Sequence, residues 1–177
     1  MKFTLCSVLF LFRVGARAFS FPPDERLVLS RPEIRRAWND LPKVDVYFRR
    51  PIRHMSKEHV VPRSYCPTGS SDLHNLWPCE RKLNSMRQNY LFTEWTVPRG
   101  GADWGFDHKN RLFMPPRISR GLIARCDLYM AVVYGEKGAV DPDVLQSWLS
   151  EEPDEYELMH EAWAKKYQLN NNPFVYP

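Results

Sequence analysis

Between Lys57 and Phe92 the chain sets a carboxylate beside an imidazole, Glu58-His59, and then an amide, Asn84, in a basic helical segment. Hydrolysis of a phosphodiester needs an attacking water, a sink for charge on the non-bridging oxygens, and help for the departing alkoxide. One hard divalent cation supplies the last two, takes oxygen ligands and keeps several waters of its own. Glu58 and Asn84 suit such an ion as metal ligands, and His59 suits the first task as a general base. An imidazole titrates near pH ~6.5 and accepts a proton at neutral pH, provided an acceptor holds the ring in one tautomer. Arg87, one helical turn beyond Asn84, is the catalytic candidate for steadying the phosphate. His74 and Asn75 read instead as polar groups hydrogen-bonded into the core.

Neighbouring side chains on a regular strand point to opposite faces. Glu58 and His59 therefore converge only where a strand twists, bulges or ends, and Pro62 argues for an end. The segment from His59 to Val61 reads as that strand, Cys66 to Ser71 as a loop, and Leu73 to Trp77 as a second strand stopped by Pro78. From Glu80 to Tyr90 the period turns helical. Leu83, Met86 and Tyr90 fall on one side, with Arg81, Asn84, Arg87 and Gln88 on the other.

The flanks read as support. Glu33 to Trp38 forms a turn or two of helix, and Val44 to Phe48 alternates like a strand. Residues 91–111 form a Gly- and Asp-rich connection anchored by Trp95 and Trp104, and Leu112 to Pro116 is extended. Ser119 is the expected cap of a helix whose apolar face carries Leu122, Cys126, Tyr129, Met130 and Val133, closed by Gly135. Asp141-Pro142 opens another helix. Pro153-Asp154 opens a last one, with Tyr156, Met159, Trp163 and Tyr167 on its apolar face. The fold class is α+β: a strand-strand-helix unit in front and helices behind.

At 44% apolar and 14% aromatic residues, the 177-residue chain is excluded from the disordered class and is long enough for one packed domain. Residues 1–18 read as a signal peptide, with Lys2, an apolar run from Phe3 to Phe12 and small residues at Ala16 and Ala18. Arg13 keeps an uncleaved anchor or an organelle-targeting peptide open. Removal of Lys2, Arg13 and Arg17, three cations and no acid, lowers the formal charge from +4 to +1. Affinity for a polyanion must then come from local clusters, such as Arg49, Arg50, Arg53 and Lys57 before the Glu-His pair. The expected location is secreted or periplasmic, with cleavage after Ala18. There, Cys66 and Cys79 form a plausible disulfide and Cys126 a buried thiol.

Four blocks resemble the endonuclease I family of secreted and periplasmic nucleases. They are Glu58-His59-Val60-Val61-Pro62; Asp72-Leu73-His74-Asn75-Leu76-Trp77-Pro78 with Leu83-Asn84-Ser85-Met86-Arg87; Arg120 to Met130; and Asn170-Asn171-Asn172-Pro173-Phe174. The resemblance implies a ββα-metal (His-Me finger) core and sequence-nonspecific cleavage of DNA, and often RNA, by a monomer using Mg²⁺, with Mn²⁺ or Ca²⁺ as alternatives. Products would carry 5′-phosphates. It gives His59 the role of base and Glu58 and Asn84 the metal. It leaves the assisting arginine open among Arg63, Arg87 and Arg125, and Arg125 open between packing and phosphate contact. Asn171 stands where the family often has arginine. On this reading residues 19–55 are an N-terminal extension carrying a first strand, and residues 56–177 are the nuclease domain. The rival reading is a secreted nucleic-acid-binding or structural protein of the same fold without turnover.

Overall fold

The computed structural model describes residues 29–95, 102–135 and 137–175; the leader segment lies outside them. Helix α1 (Arg31–Asn39) opens the described chain, started by a Ser30/Glu33 capping box and a proline in its first turn. Its buried Ala37 and Trp38 join Leu29, Leu41, Trp163 and Ala164 in a small apolar cluster.

The segment from Val44 to Phe48 is not a strand. Asp45 Oδ1 accepts the backbone N–H groups of Tyr47 (3.0 Å) and Phe48 (2.9 Å) and bends the chain into a turn. The first strand is β1 (Met55–His59), paired antiparallel with β2 (Leu76–Glu80) so that Glu58 faces Trp77 and His59 faces Leu76. Pro78 does not stop β2 but sits inside it, opposite Lys57. Its carbonyl accepts from Val46 N (2.9 Å) on the side away from β1, so the missing N–H falls where the pair requires no ladder bond. A single 3-10 turn, Leu73–Asn75, occupies the start of the expected second strand, with Asp72 capping it.

Helix α2 (Arg81–Arg87) follows β2 directly and ends where Gln88 takes a positive φ of 51°. Strands β3 (Leu91–Phe92), β4 (Gly105–Asp107) and β5 (Leu112–Met114) make a second sheet in the order β3-β5-β4. Two of these lie in the stretch read as a plain connection. Trp104 is 38% exposed, with its ring edge-on to Phe48.

Helix α3 (Arg117–Tyr134) runs through the middle of the molecule and is buried continuously from Ser119 to Ala131. It begins two residues before the expected cap, and Ser119 Oγ donates to the Pro116 carbonyl (2.8 Å). Gly135 closes it at φ 67°, the left-handed region glycine tolerates best. Helices α4 (Pro142–Leu149) and α5 (Glu155–Gln168) begin at the expected aspartates, Asp141 and Asp154, each accepting a first-turn N–H.

The buried side of α5 is not the aromatic stripe alone. Met159 is 37% exposed, whereas Glu157, His160, Glu161 and Gln168 are buried. The His160 ring stacks on Trp77 with centroids 3.4 Å apart and hydrogen-bonds the Leu76 carbonyl through Nε2 (2.9 Å). Burial drives its pKa down to about 3. The folded value thus lies below the ordinary one near ~6.5. Its stabilisation is complete above that value and is lost as the pH falls toward 3. Glu58 and Asp127, both pushed up to about 7 by burial, act in the opposite sense. Thermal unfolding of wild type and His160→Gln between pH 7 and 4 isolates the histidine. Wild type is expected to lose a few kcal/mol more than the glutamine variant, which keeps an N–H for Leu76; parallel losses would remove His160 from the account.

The Cys66–Cys79 disulfide is not formed. Cys79 and Cys126 are free thiols, and all three cysteines are buried. Cys79 Sγ is 3.5 Å from the Glu80 carbonyl, and Cys126 Sγ is 3.3 Å from the His74 carbonyl.

Candidate active site

β1 ends at His59, and α2 packs against both strands of the first pair, so the end of one strand meets the side of one helix. Glu58, His59, Arg63, Asn84, Arg87 and Asn89 line a cleft of about 230 Å³ at this junction. All four sequence-predicted site residues are among them.

His59 Nε2 lies 3.0 Å from the Ser70 carbonyl, which can only accept. The Nε2–H tautomer follows, and Nδ1 is left as the basic nitrogen. Burial, followed by the Arg63, Arg87 and Lys57 charges, lowers the His59 pKa against the opposing Ser70 hydrogen bond. The ring is therefore neutral at pH 7.

Asn84 Nδ2 donates to Ser56 Oγ (3.0 Å) and to the Lys57 carbonyl (2.9 Å), both on β1. With the amide nitrogen so fixed, Oδ1 is the end of the group available to a ligand. This tether accounts for an asparagine in the middle of a helix, where its intrinsic propensity is poor.

Glu58 is 1% exposed, and its Oε1 accepts from the Tyr47 hydroxyl (2.9 Å) and pairs with Arg87 Nη1 (3.1 Å). Burial raises its pKa to about 7, against the pull of Arg87 and of the tyrosine. Burial and the Glu58 charge raise the Tyr47 pKa well above 10, so its hydroxyl remains a donor.

Arg87 is not on the exposed side of α2; it turns inward with Leu83. Its Nη1 donates to the His59 carbonyl (3.0 Å) and its Nη2 to the Val60 carbonyl (2.6 Å), clamping the end of β1. Nε is buried without a hydrogen-bond partner, and the guanidinium lies 4.3 Å from the Phe92 ring centroid, a favourable cation–π geometry. Arg63, in contrast, is exposed at the rim. Arg125 is away from the cleft: Nε and Nη2 pair with Glu157 at 2.7 and 2.5 Å in the interior.

His74 and Asn75 are structural, as the sequence indicates. Asn75 accepts from Val61 N (2.7 Å) and donates to Val61 O (2.9 Å), holding the chain just past His59. His74 sits between Glu161 (3.0 Å) and Asn170 (3.3 Å). Two site partners escape the sequence: Tyr47, hidden in a segment read as a strand, and Ser70, which contributes a backbone carbonyl. Among the described residues no three His, Cys, Asp or Glu side chains gather as a metal-holding group.

Residues 50–177 match the family described as endonuclease I. The chain belongs to that family. Similar proteins include an extracellular deoxyribonuclease of Aeromonas hydrophila, 36% identical over 110 residues, 59% of this chain and 48% of the relative. Endonuclease-1 of Buchnera aphidicola subsp. Baizongia pistaciae is 31% identical over 113 residues, covering 60% of this chain and 46% of its own. An extracellular ribonuclease of Bacillus subtilis (strain 168) is 29% identical over 149 residues, covering 68% and 50%. This endonuclease I chain spans about half the length of these relatives.

Proposed function

We propose that the chain is a metal-dependent, sequence-nonspecific endonuclease that hydrolyses phosphodiester bonds of DNA, and of RNA, to products with 5′-phosphates. The observation that carries this reading is the convergence of Glu58, His59 and Asn84 on one cleft, with His59 already tethered through Nε2. Relatives named deoxyribonuclease, endonuclease-1 and ribonuclease support it. The β1-β2-α2 succession is proposed as the ββα-metal unit, within a nuclease domain of residues 56–177 that acts as a monomer. Relatives named extracellular and periplasmic support a secreted or periplasmic location, with removal of residues 1–18. No helix among the described residues is long and apolar enough to cross a membrane.

The donor set fits a hard cation. It consists of one carboxylate and one amide oxygen, without a thiolate, the pattern expected for Mg²⁺, or Mn²⁺ or Ca²⁺ in its place. Glu58 and Asn84 would hold it, and when bound it would neutralise charge on the phosphate oxygens and the leaving alkoxide. His59 Nδ1 takes a proton from the attacking water. Ser70 keeps the ring oriented for that transfer. Arg87 holds the Glu58 carboxylate and the His59 carbonyl in register, as a positioning residue, and the exposed Arg63 contacts the phosphate.

Plasmid nicking in Mg²⁺ with and without EDTA tests the reading. Conversion of supercoiled to relaxed DNA that stops on chelation is the expected result; intact plasmid in Mg²⁺ would overturn it. Asn84→Ala is expected to raise the Mg²⁺ concentration for half-maximal nicking by tenfold or more, since loss of a ligand weakens the ion before it touches proton transfer. An unchanged Mg²⁺ titration would remove Asn84 from the metal site.

A further inference from the structure

The exposed side of α1 carries Arg31, Arg35 and Arg36, which with Pro32 and Asn39 border a shallow groove of about 410 Å³. Arg31 and Arg35 stand one turn apart, a rise of about 5.4 Å, and Arg36 lies beside Arg35 on the border of the same groove. The nearby acids are engaged elsewhere. Glu33 accepts from Ser30 N (2.7 Å) and Ser30 Oγ (2.6 Å), and Asp40 pairs with Lys166 (3.1 Å) and Tyr167. Among the described residues, Arg31, Arg35 and Arg36 make no ion pair with any carboxylate within hydrogen-bond reach.

Lys57 connects the helix to β1, the strand that leads to the cleft. Lys57 on β1 places its ammonium 5.3 Å from the ring centroid of Trp38, a residue of α1. The Lys57 carbonyl accepts from Asn84 Nδ2, and the next residue is Glu58. Lys57 therefore stands between α1, through Trp38, and the cleft residue Glu58. α1 lies before residue 50, where the family match begins, so its arginines are outside the matched region.

We propose that the Arg31-Arg35-Arg36 face of α1, joined to the cleft by Lys57, is a second contact for the phosphate backbone of the nucleic acid being cut. The proposal rests on the nuclease reading and extends it to where the flanking strand lies. A polyanion with one charge per about 1.7 Å of duplex matches this group of cations, of which Arg36 also acts on the Glu33 carboxylate. A lipid surface matches it less well. Interfacial helices insert a free apolar face, whereas in α1 Ala37 and Trp38 are buried and Ile34 packs against the same cluster.

The test is the salt dependence of duplex binding by the full chain in EDTA, where no cleavage intervenes. Arg31→Gln/Arg35→Gln/Arg36→Gln is expected to flatten the plot of log affinity against log salt by roughly 2–3 units, about 0.9 for each phosphate that is no longer neutralised. The matching triple lysine variant is expected to restore the slope. If the triple glutamine variant melts early, the single changes Arg31→Gln and Arg35→Gln each carry the same test at about 0.9 unit. An unchanged slope, with wild type binding duplex and nicking plasmid in Mg²⁺, overturns the α1 contact and leaves the nuclease reading standing. Wild type that neither binds duplex nor nicks plasmid overturns both. Vesicles of phosphatidylserine and phosphatidylcholine are the remaining arm: vesicle binding that disappears in the glutamine variant, with an unchanged duplex slope, overturns the proposal in favour of a membrane.

Discussion

His59→Ala is expected to abolish plasmid nicking while leaving folding and duplex binding in place. Removal of a positioned general base costs roughly 10²–10⁴-fold in rate. The ring is partly exposed at the cleft and bonds the protein through one hydrogen bond to Ser70, so its loss should scarcely affect stability. Single-turnover nicking and duplex affinity, measured on the same preparation, separate the two effects. Partial recovery with added imidazole would mark the missing group as a proton acceptor. Equal nicking by the variant and wild type would sink the assignment of the base. Glu58→Ala is a poorer probe, because it leaves Arg87 buried with its carboxylate partner gone. Glu58→Gln keeps the shape and an acceptor for Tyr47, and is the variant to compare for metal affinity.

The largest expected loss of stability lies elsewhere, in the pair formed by Arg125 and Glu157. Both side chains are 3–4% exposed, and the guanidinium meets the carboxylate through two nitrogens. Burial raises the Glu157 pKa, opposed by the hydrogen bond and charge of Arg125. Glu157→Ala leaves an unpaired cation in the interior and is expected to cost about 3–5 kcal/mol. Replacing both, as Arg125→Met/Glu157→Leu, removes the charges together and should cost much less. Urea denaturation of the two variants decides it. A double variant as damaged as the single would show that packing, rather than the stranded charge, dominates.

The features legible in the sequence are those set by a few adjacent residues. Asp141, Asp154 and Gly135 fix helix ends through their own side chains or backbone freedom, and they stand where the spacing predicts. Pro62 signals a strand end nearby, but the strand expected over His59 to Val61 lies earlier, at Met55–His59. Where the residue pattern misleads, the outcome is decided by groups distant in the chain or by competition within it. In Val44–Phe48 the alternation is real, but the Asp45 carboxylate captures two N–H groups and turns the backbone. On α5 an apolar stripe predicts the buried face, yet Glu157, Glu161 and His160 go inside because Arg125, His74 and Trp77 wait for them. Pro78 looks like a strand stop until the outer side of β2 is seen to need only a carbonyl. Glu58, His59, Asn84 and Arg87 stand out in the sequence by side-chain type and spacing, and they line one cleft. Ser70 does not stand out, since any residue carries the carbonyl it supplies.

The arrangement around Glu58 separates two events that coincide in many small metalloproteins. A zinc finger has no fold until its ligands are gathered by the ion. Here Tyr47 and Arg87 already hold the carboxylate, Asn84 is strapped to β1, and the strands are paired. The side chains proposed as ligands are thus held by the protein's own contacts. On the proposed metal-dependent reading, a molecule deprived of divalent ions would keep its fold and its hold on duplex while cleavage stops, so that ion supply would set the rate without setting the structure.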